Sequence, residues 1–273
     1  MNCKICNNKT EVIFSKIVLQ KYNVNYYQCT NCNFVQTDEP FWLNEAYQSA
    51  ITSLDIGLLY RNIHLQKEIP KILHCCFPEA KIMLDYAGGY GVFVRLMRDS
   101  GYDFYRQDDY CENIFAKNFD IENTKNETFD LVTAFEVFEH FNNPLSEISK
   151  IFKYSNNLIL TTELIPDERT EIENWWYIAQ ETGQHIAFYS KKSMEMIAEK
   201  FNLNYYQLDR TLHIFTPETL TKQQLECEQV KYVLKKKYFG LKTKKVAKEI
   251  NIDKESLLGS DYEMIKKILN SKN

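Results

Sequence analysis

With 273 residues, 44% of them hydrophobic and 26% charged, the chain is long enough to bury a full core and too apolar to be disordered or fibrous. Its eight cysteines are too few for a disulfide scaffold, and no apolar run approaches the roughly 18 residues that a membrane span needs. The net charge of −4 is unevenly spread: residues 218–273 carry 13 Lys against 8 acids, a surplus of +5 that leaves −9 on residues 1–217. Met1-Asn2-Cys3-Lys4 runs into polar sequence without the apolar stretch of a secretion signal, so a reducing cytoplasm is the expected compartment.

In chain order, the first signal is a pair of C-x-x-C knuckles, Cys3 with Cys6 and Cys29 with Cys32. Each x-x turn lets two sulfurs of one short loop reach the same ion, and four thiolates suit a tetrahedral zinc. Val12, Phe14, Ile17 and Tyr27 alternate as small strands between the knuckles, so residues 1–38 read as a zinc ribbon. All four coordination positions are filled by protein, which makes the expected ion structural. With few Lys and no Arg before residue 40, the ribbon lacks a nucleic-acid surface. Cys75, Cys76, Cys111 and Cys227 fall outside any pair spacing and read as core residues.

Residues 39–76 read as a helical bridge in which Leu58, Leu59, Ile63, Leu65, Ile69 and Leu73 mark one buried face; the segment either walls a cleft or serves packing alone. The informative stretch is Lys81 to Leu96: an apolar strand, Asp85 near its end, a turn through Ala87, Gly88, Gly89 and Gly91, then an amphipathic helix. Glycines permit close backbone approach, and the helix start offers free amides. A dinucleotide fingerprint requires a third glycine where Val94 stands. Asp85 puts a carboxylate where a pyrophosphate would be repelled and a cation favoured. S-adenosylmethionine, with a sulfonium, an ammonium and no phosphate, fits that charge pattern. Asp103 to Asp108 reads as a second strand whose terminal acid, Asp108, is placed for ribose hydroxyls. Phe129–His140 and Leu158–Glu163 supply further strands, and Leu203–Leu208 with Thr211–Thr216 form an antiparallel hairpin.

Taken together, residues 80–216 resemble class I S-adenosylmethionine-dependent methyltransferases, with Ala87 at the first of the family's three alternate glycines. The resemblance implies an α/β, Rossmann-like seven-stranded sheet with its last strand antiparallel, over residues 77–217. It assigns Asp108 to the ribose and the turn at Phe135 and Glu136 to the methionine and the transferring methyl. A sulfonium methyl is already activated, so the protein must add alignment and, for oxygen or carbon nucleophiles, a base. His185, in the polar, aromatic loop from Trp175 to Ser190, reads as an exposed histidine titrating near neutrality; it is the first candidate base, or else a helix cap or carbonyl donor. His140 is the second, or else shapes the cofactor turn. His64, His74 and His213 read as packing residues.

A closer resemblance is to sugar C-methyltransferases acting on nucleotide-linked keto sugars. They too join a four-cysteine zinc module to this core, and carry a Tyr, His, Glu, His run whose last member is the base. His185 falls on that last position, with Thr182, Gly183 and Gln184 at the other three. The likeness implies methyl transfer to an oxygen or carbon of a small molecule: a sugar, nucleotide sugar or surface-polysaccharide precursor. One rival is a nucleic-acid methyltransferase. Against it, Glu136-Val137-Phe138-Glu139 replaces the Asn or Asp, Pro, Pro, aromatic motif of amine methylation, and the acidic body repels phosphates. A non-catalytic partner-binding protein on the same fold is the other. Residues 218–273, with Leu225, Val230, Val233, Leu234, Ile265, Ile268 and Leu269 at helical spacing, read as a basic helical tail. Its lysines are a solvated face, or dock an acidic partner protein or an anionic surface.

Overall fold

A computed structural model describes residues 1–49, 51–227, 230–236, 241–247, 252 and 254–271. The N-terminal hairpin pairs β1 (Thr10–Val18) antiparallel with β2 (Tyr22–Cys29), and β3 (Val35–Thr37) joins β2. Phe14, Val18, Val24 and Tyr26 turn inward, where they meet Trp42, Trp175 and Phe188. The fourth strand of this sheet, β8 (Ala187–Phe188), comes from far along the chain, and the order is β1-β2-β3-β8.

The bridge contains α1 (Leu43–Ala46) and α2 (Leu58–Cys76). Leu65, Ile69, Ile72 and Leu73 of α2 are buried, but Leu59 and Ile63 of the expected face are 59% and 47% exposed. The first two turns of α2 lie over a cleft instead of against the sheet.

The main sheet is built from β4 (Ile82–Tyr86), β5 (Asp103–Gln107), β6 (Leu131–Phe135), β7 (Leu158–Thr161), β9 (Asn204–Gln207) and β10 (Leu212–Thr216). Its strand order is β5-β4-β6-β7-β10-β9. The first four strands are parallel, whereas β10 runs antiparallel to both β7 and β9, as the short link at Asp209 and Arg210 requires. Connecting helices α3 (Val92–Asp99), α4 (Pro144–Ile151), α5 (Arg169–Ile172) and α6 (Lys191–Lys200) lie between them in sequence. Alternation divides the strand residues between two cores: Leu84, Val132, Leu160 and Phe215 pack with Ile148 and Ile197, while Met83, Leu131, Ile159 and Ile214 pack with Ile69 and Met97. A parallel sheet covered on both faces explains these near-continuous apolar runs.

Three expectations are corrected. The sheet has six strands among the described residues, not seven. At the outer edge of β5 the chain makes a single parallel bridge, Arg106 to Asp120, and then leaves through a 3-10 turn, Ile121–Asn123, whose capping box joins Asp120 and Asn123. Second, the tail is not wholly helical. After α7 (Lys222–Glu226), strands β11 (Val230–Lys236) and β12 (Leu241–Ala247) pair antiparallel, and only α8 (Leu258–Ser271) resumes the helix. Third, Cys75 and Cys227 form a disulfide across a separation of 152 residues, which no local spacing reveals.

The tail's last helix is anchored to the core by charge. Asp261, 4% exposed, accepts from Arg98 Nη2 at 2.7 Å and Nε at 2.9 Å, and from Arg95 Nη2 at 2.9 Å. No helix among the described residues is long and apolar enough to cross a membrane.

Candidate active site

From β4 the chain turns through Ala87 (φ 55°), Gly88, Gly89 (φ 55°) and Gly91 (φ 82°) into α3. A Cβ at Gly88 would lie 2.7 Å from Asp85 Oδ2, and one at Gly91 would lie 2.6 Å from Asn113 Oδ1. Both positions therefore exclude a side chain by contact. At Gly89 the space is open, with Ile51 Cδ1 at 3.5 Å the nearest atom, so the backbone there borders a crevice. Arg106 braces the loop from β5, donating to Cys111 O at 2.9 Å, to Asp120 at 2.6 Å and, in a short contact, to Gly89 O.

Asp85 is 3% exposed and accepts from Thr133 Oγ1 at 2.6 Å. Burial pushes its carboxyl up to about 7, Asp108 adds to the shift, and Thr133 and Arg106 oppose it. Asp108 organises the neighbouring loop: it accepts from Gly89 N at 2.8 Å, Tyr110 N at 2.8 Å and Cys111 N at 2.7 Å. A carboxylate offers about four lone-pair directions. Asp108 thus keeps little more than one for a ligand hydroxyl.

The crevice encloses about 1040 Å³ beyond the carboxyl ends of β4, β5 and β6, at the point where the strand order reverses. Six carboxylates and two basic side chains line it, which favours a cationic ligand over a diphosphate. One of the basic groups, Arg61 on α2, is paired with Asp55 at 2.8 Å. Open glycine backbone, a surplus of acids and sufficient volume fit S-adenosylmethionine.

Opposite the glycines, β6 ends at Phe135, which packs edge-on against Phe93 with ring centroids 4.9 Å apart. Glu136 follows with φ 55°, and its amide is held by Thr161 O and Oγ1, each at 3.0 Å. Burial, then the charge of Glu139, pushes the Glu136 carboxyl up to about 7. In the next turn Glu139 is wholly buried: Oε1 accepts from Tyr177 OH at 2.6 Å, while Oε2 has no partner. His140 Nδ1 lies 3.1 Å from Gln184 O, and His185 Nδ1 lies 2.7 Å from Tyr177 O. A carbonyl only accepts, so both Nδ1 atoms carry hydrogen and, in the neutral rings, both lone pairs sit on Nε2. The rings stand 5.0 Å apart at 81°. His185 is not the exposed, neutral-titrating group its loop implied: burial, and secondarily His140, push its pKa down to about 4.

Away from the crevice, the sulfurs of Cys3, Cys6, Cys29 and Cys32 lie within 4.8 Å of one another, with 3–32, 6–29 and 6–32 separations of 3.5, 3.4 and 3.6 Å. A tetrahedron of Zn–S bonds near 2.3 Å sets sulfurs about 3.8 Å apart. Amides of Ile5, Asn31 and Cys32 already point at Sγ atoms at 3.4 Å, and the set therefore fits a zinc ion. Cys32 O accepts from Ser190 Oγ at 2.5 Å, which ties this knuckle to the residue that caps α6.

The structure thus gathers Asp85, Ala87, Gly88, Gly89, Asp108, Phe135, Glu136, His140 and His185 around one crevice, with Gly91 beneath it. His213 lies apart, fully buried in β10 against Thr162 O at 3.0 Å. Sequence reasoning gave Glu139 only a part, with His140, in shaping the cofactor turn, and gave no role to Tyr177, Tyr47 or Arg61.

Residues 61–208, more than half of the chain, match the family described as Methyltransferase domain. No curated protein matches the chain. Solved structures of similar fold include the plantazolicin methyltransferase BpumL in complex with a monoazolic desmethylPZN analog and SAH, at 14% identity over 60% of this chain and 75% of that one, TM-score 0.44. An O-methyltransferase family protein from Burkholderia thailandensis aligns at 12% identity over 65% and 68%, TM-score 0.42. Streptomyces venezuelae DesVI aligns at 10% over 62% and 99%, TM-score 0.42. Likeness at this level carries nothing about the acceptor. The family match, however, covers the glycine loop, Asp108 and the Glu136 turn together, and the chain belongs to the methyltransferase domain family as an S-adenosylmethionine-dependent enzyme.

Proposed function

We propose that the chain transfers a methyl group to an oxygen or carbon of a small polar acceptor: a sugar, or the sugar portion of a nucleotide sugar or surface-polysaccharide precursor whose phosphates stay outside the acidic crevice. The observation that carries this reading is an acidic, glycine-floored crevice faced by two imidazoles with unclaimed Nε2 lone pairs. When bound, S-adenosylmethionine supplies a methyl carbon already activated by its sulfonium. The glycine loop holds its nucleoside and amino-acid portions, Asp108 offers its remaining lone pair to the ribose, and Asp85 and Glu136 supply negative charge. His185, fixed by Tyr177 O, takes the acceptor's proton at Nε2, and His140 stands beside it to hold or relay that proton. Tyr47 and Trp176 give a ring-shaped acceptor flat surfaces to lie against. The four cysteines hold a structural zinc, and the lysine-rich tail offers attraction to an acidic partner or anionic surface. The acids lining the crevice disfavour the rival substrate, a nucleic acid.

The test is His185→Ala. Calorimetry with S-adenosylhomocysteine is expected to show unchanged affinity, while labelled methyl transfer to a panel of sugars and nucleotide sugars is lost. Wild-type turnover in the variant removes the imidazole from the chemistry.

A further inference from the structure

We propose that Glu139, His140 and His185 bind a divalent transition-metal ion that takes the acceptor's oxygen; this rests on the methyl transfer proposed above and makes both imidazoles ligands in place of base and relay. One ring nitrogen of each histidine and one Glu139 oxygen lie within 4.8 Å of one another. An ion about 2.1 Å from each ligand needs separations of roughly 3 to 4 Å, a contraction within the reach of side-chain rotation.

Two further observations point the same way. Both Nδ1 atoms donate to backbone carbonyls, Gln184 O at 3.1 Å and Tyr177 O at 2.7 Å, which is the outer-shell arrangement that orients a metal-bound imidazole and leaves Nε2 as ligand. Glu139 Oε2 is, among the described residues, a buried side-chain oxygen with no hydrogen-bond partner, on a residue of zero exposure. Buried polar atoms are nearly always satisfied, and a lone carboxylate oxygen is costly. Tyr177 OH already occupies Oε1 at 2.6 Å, so the carboxylate, which lies beside the two histidines, is held with one oxygen engaged and the other unclaimed. A cation is the partner that completes the set.

Two imidazoles and a carboxylate suit zinc, iron, cobalt, nickel or manganese in preference to calcium or magnesium. Three protein ligands leave coordination positions open toward the crevice, where the acceptor's hydroxyl and a neighbouring oxygen fit. Acceptors with adjacent oxygens, such as vicinal diols and hydroxy ketones, are therefore the favoured class. Coordination lowers the hydroxyl's pKa and its proton leaves to water. The oxygen then forms its bond to the methyl carbon while the C–S electron pair returns to sulfur, giving a methyl ether and a neutral thioether. The imidazoles act here as ligands, and the proton need not rest on either.

The experiment titrates Co²⁺ into full-length protein whose cysteines already carry zinc, followed by calorimetry and visible absorption. The expected result is one additional Co²⁺ per chain, with the weak bands of nitrogen and oxygen ligation and no sulfur charge-transfer band. Binding should weaken at least tenfold in Glu139→Gln and, independently, in His140→Ala. Methyl transfer should fall at least tenfold after dialysis against a mild chelator that leaves the cysteine-bound zinc in place, and return with Co²⁺. No additional Co²⁺, or binding indifferent to both substitutions, overturns the inference. Turnover that survives the chelator but not His185→Ala also overturns it and leaves the imidazole-base reading intact. Bound Co²⁺ without methyl transfer to any hydroxylated acceptor supports the site and sinks the proposed reaction.

Discussion

Asp85 makes the crevice's charge depend on pH, and Asp85→Asn isolates the effect. Its carboxyl moves from an ordinary 3.8 to about 7 in the folded chain, chiefly through burial. The folded state thus holds the proton more tightly than the unfolded state. The stability this contributes is full below about pH 4 and is lost as pH rises through about 7. At 1.36 kcal/mol per unit, the loss between pH 5 and pH 8 is ~3 kcal/mol. Asn keeps an oxygen for Thr133 Oγ1, which now donates to Asp85 Oδ1 at 2.6 Å, but does not titrate. Glu136, also raised to about 7, shifts both proteins alike. Urea unfolding at several pH values should therefore show wild type falling by ~3 kcal/mol against Asp85→Asn from pH 5 to pH 8. Calorimetry should show affinity for the cationic cofactor rising over the same window in both proteins, through Glu136, and more steeply in wild type. Parallel stability profiles would refute the argument that this carboxyl is buried against its charge.

Gly91→Ala combines φ 82° with a Cβ 2.6 Å from Asn113 Oδ1, so urea unfolding is expected to show a loss of stability, whereas Gly89→Ala, at φ 55° with its Cβ in the open crevice, should chiefly lose cofactor affinity. Unchanged stability in Gly91→Ala would contradict the contact. Asp261→Ala leaves Arg98, its side chain 6% exposed, without its main partner, and should cost about 3–5 kcal/mol in denaturant unfolding; a loss below about 1 kcal/mol would mean that α8 is not anchored there. Cys29→Ser removes the sulfur that accepts from the Asn31 and Cys32 amides, and metal analysis should find the protein depleted of zinc. Full zinc occupancy in that variant would end the tetrathiolate reading.

What was legible in the sequence is what local spacing encodes. The glycine turn after Asp85, the two C-x-x-C pairs and the hairpin around Asp209 and Arg210 are each set by residues a few positions apart; the turn and the hairpin form as read, and the four sulfurs come together. What was not legible depends on partners brought together only by folding. The disulfide links residues 152 positions apart, and β8 joins a sheet whose other strands end near residue 37. His185 was placed in a solvent-facing loop by its polar neighbours, but packing against Tyr177 and His140 withdraws it from water. The lost edge strand has the same origin: Asp120 is drawn toward Arg106 and Asn113, and the segment curls away after one bridge.

The pairing of Val35 with Phe188 and of Gln36 with Ala187 has a consequence for how this chain is made. An emerging N-terminal sheet waits, with one edge bare, until some 150 further residues have left the ribosome. The dipeptide that finally covers that edge follows His185 and Ile186 directly, and Thr37 N reaches Ile186 O at 3.3 Å. Trimming the first 38 residues would therefore unmoor the histidine's own segment, so what resembles a detachable accessory is the last brace set under the reaction chamber.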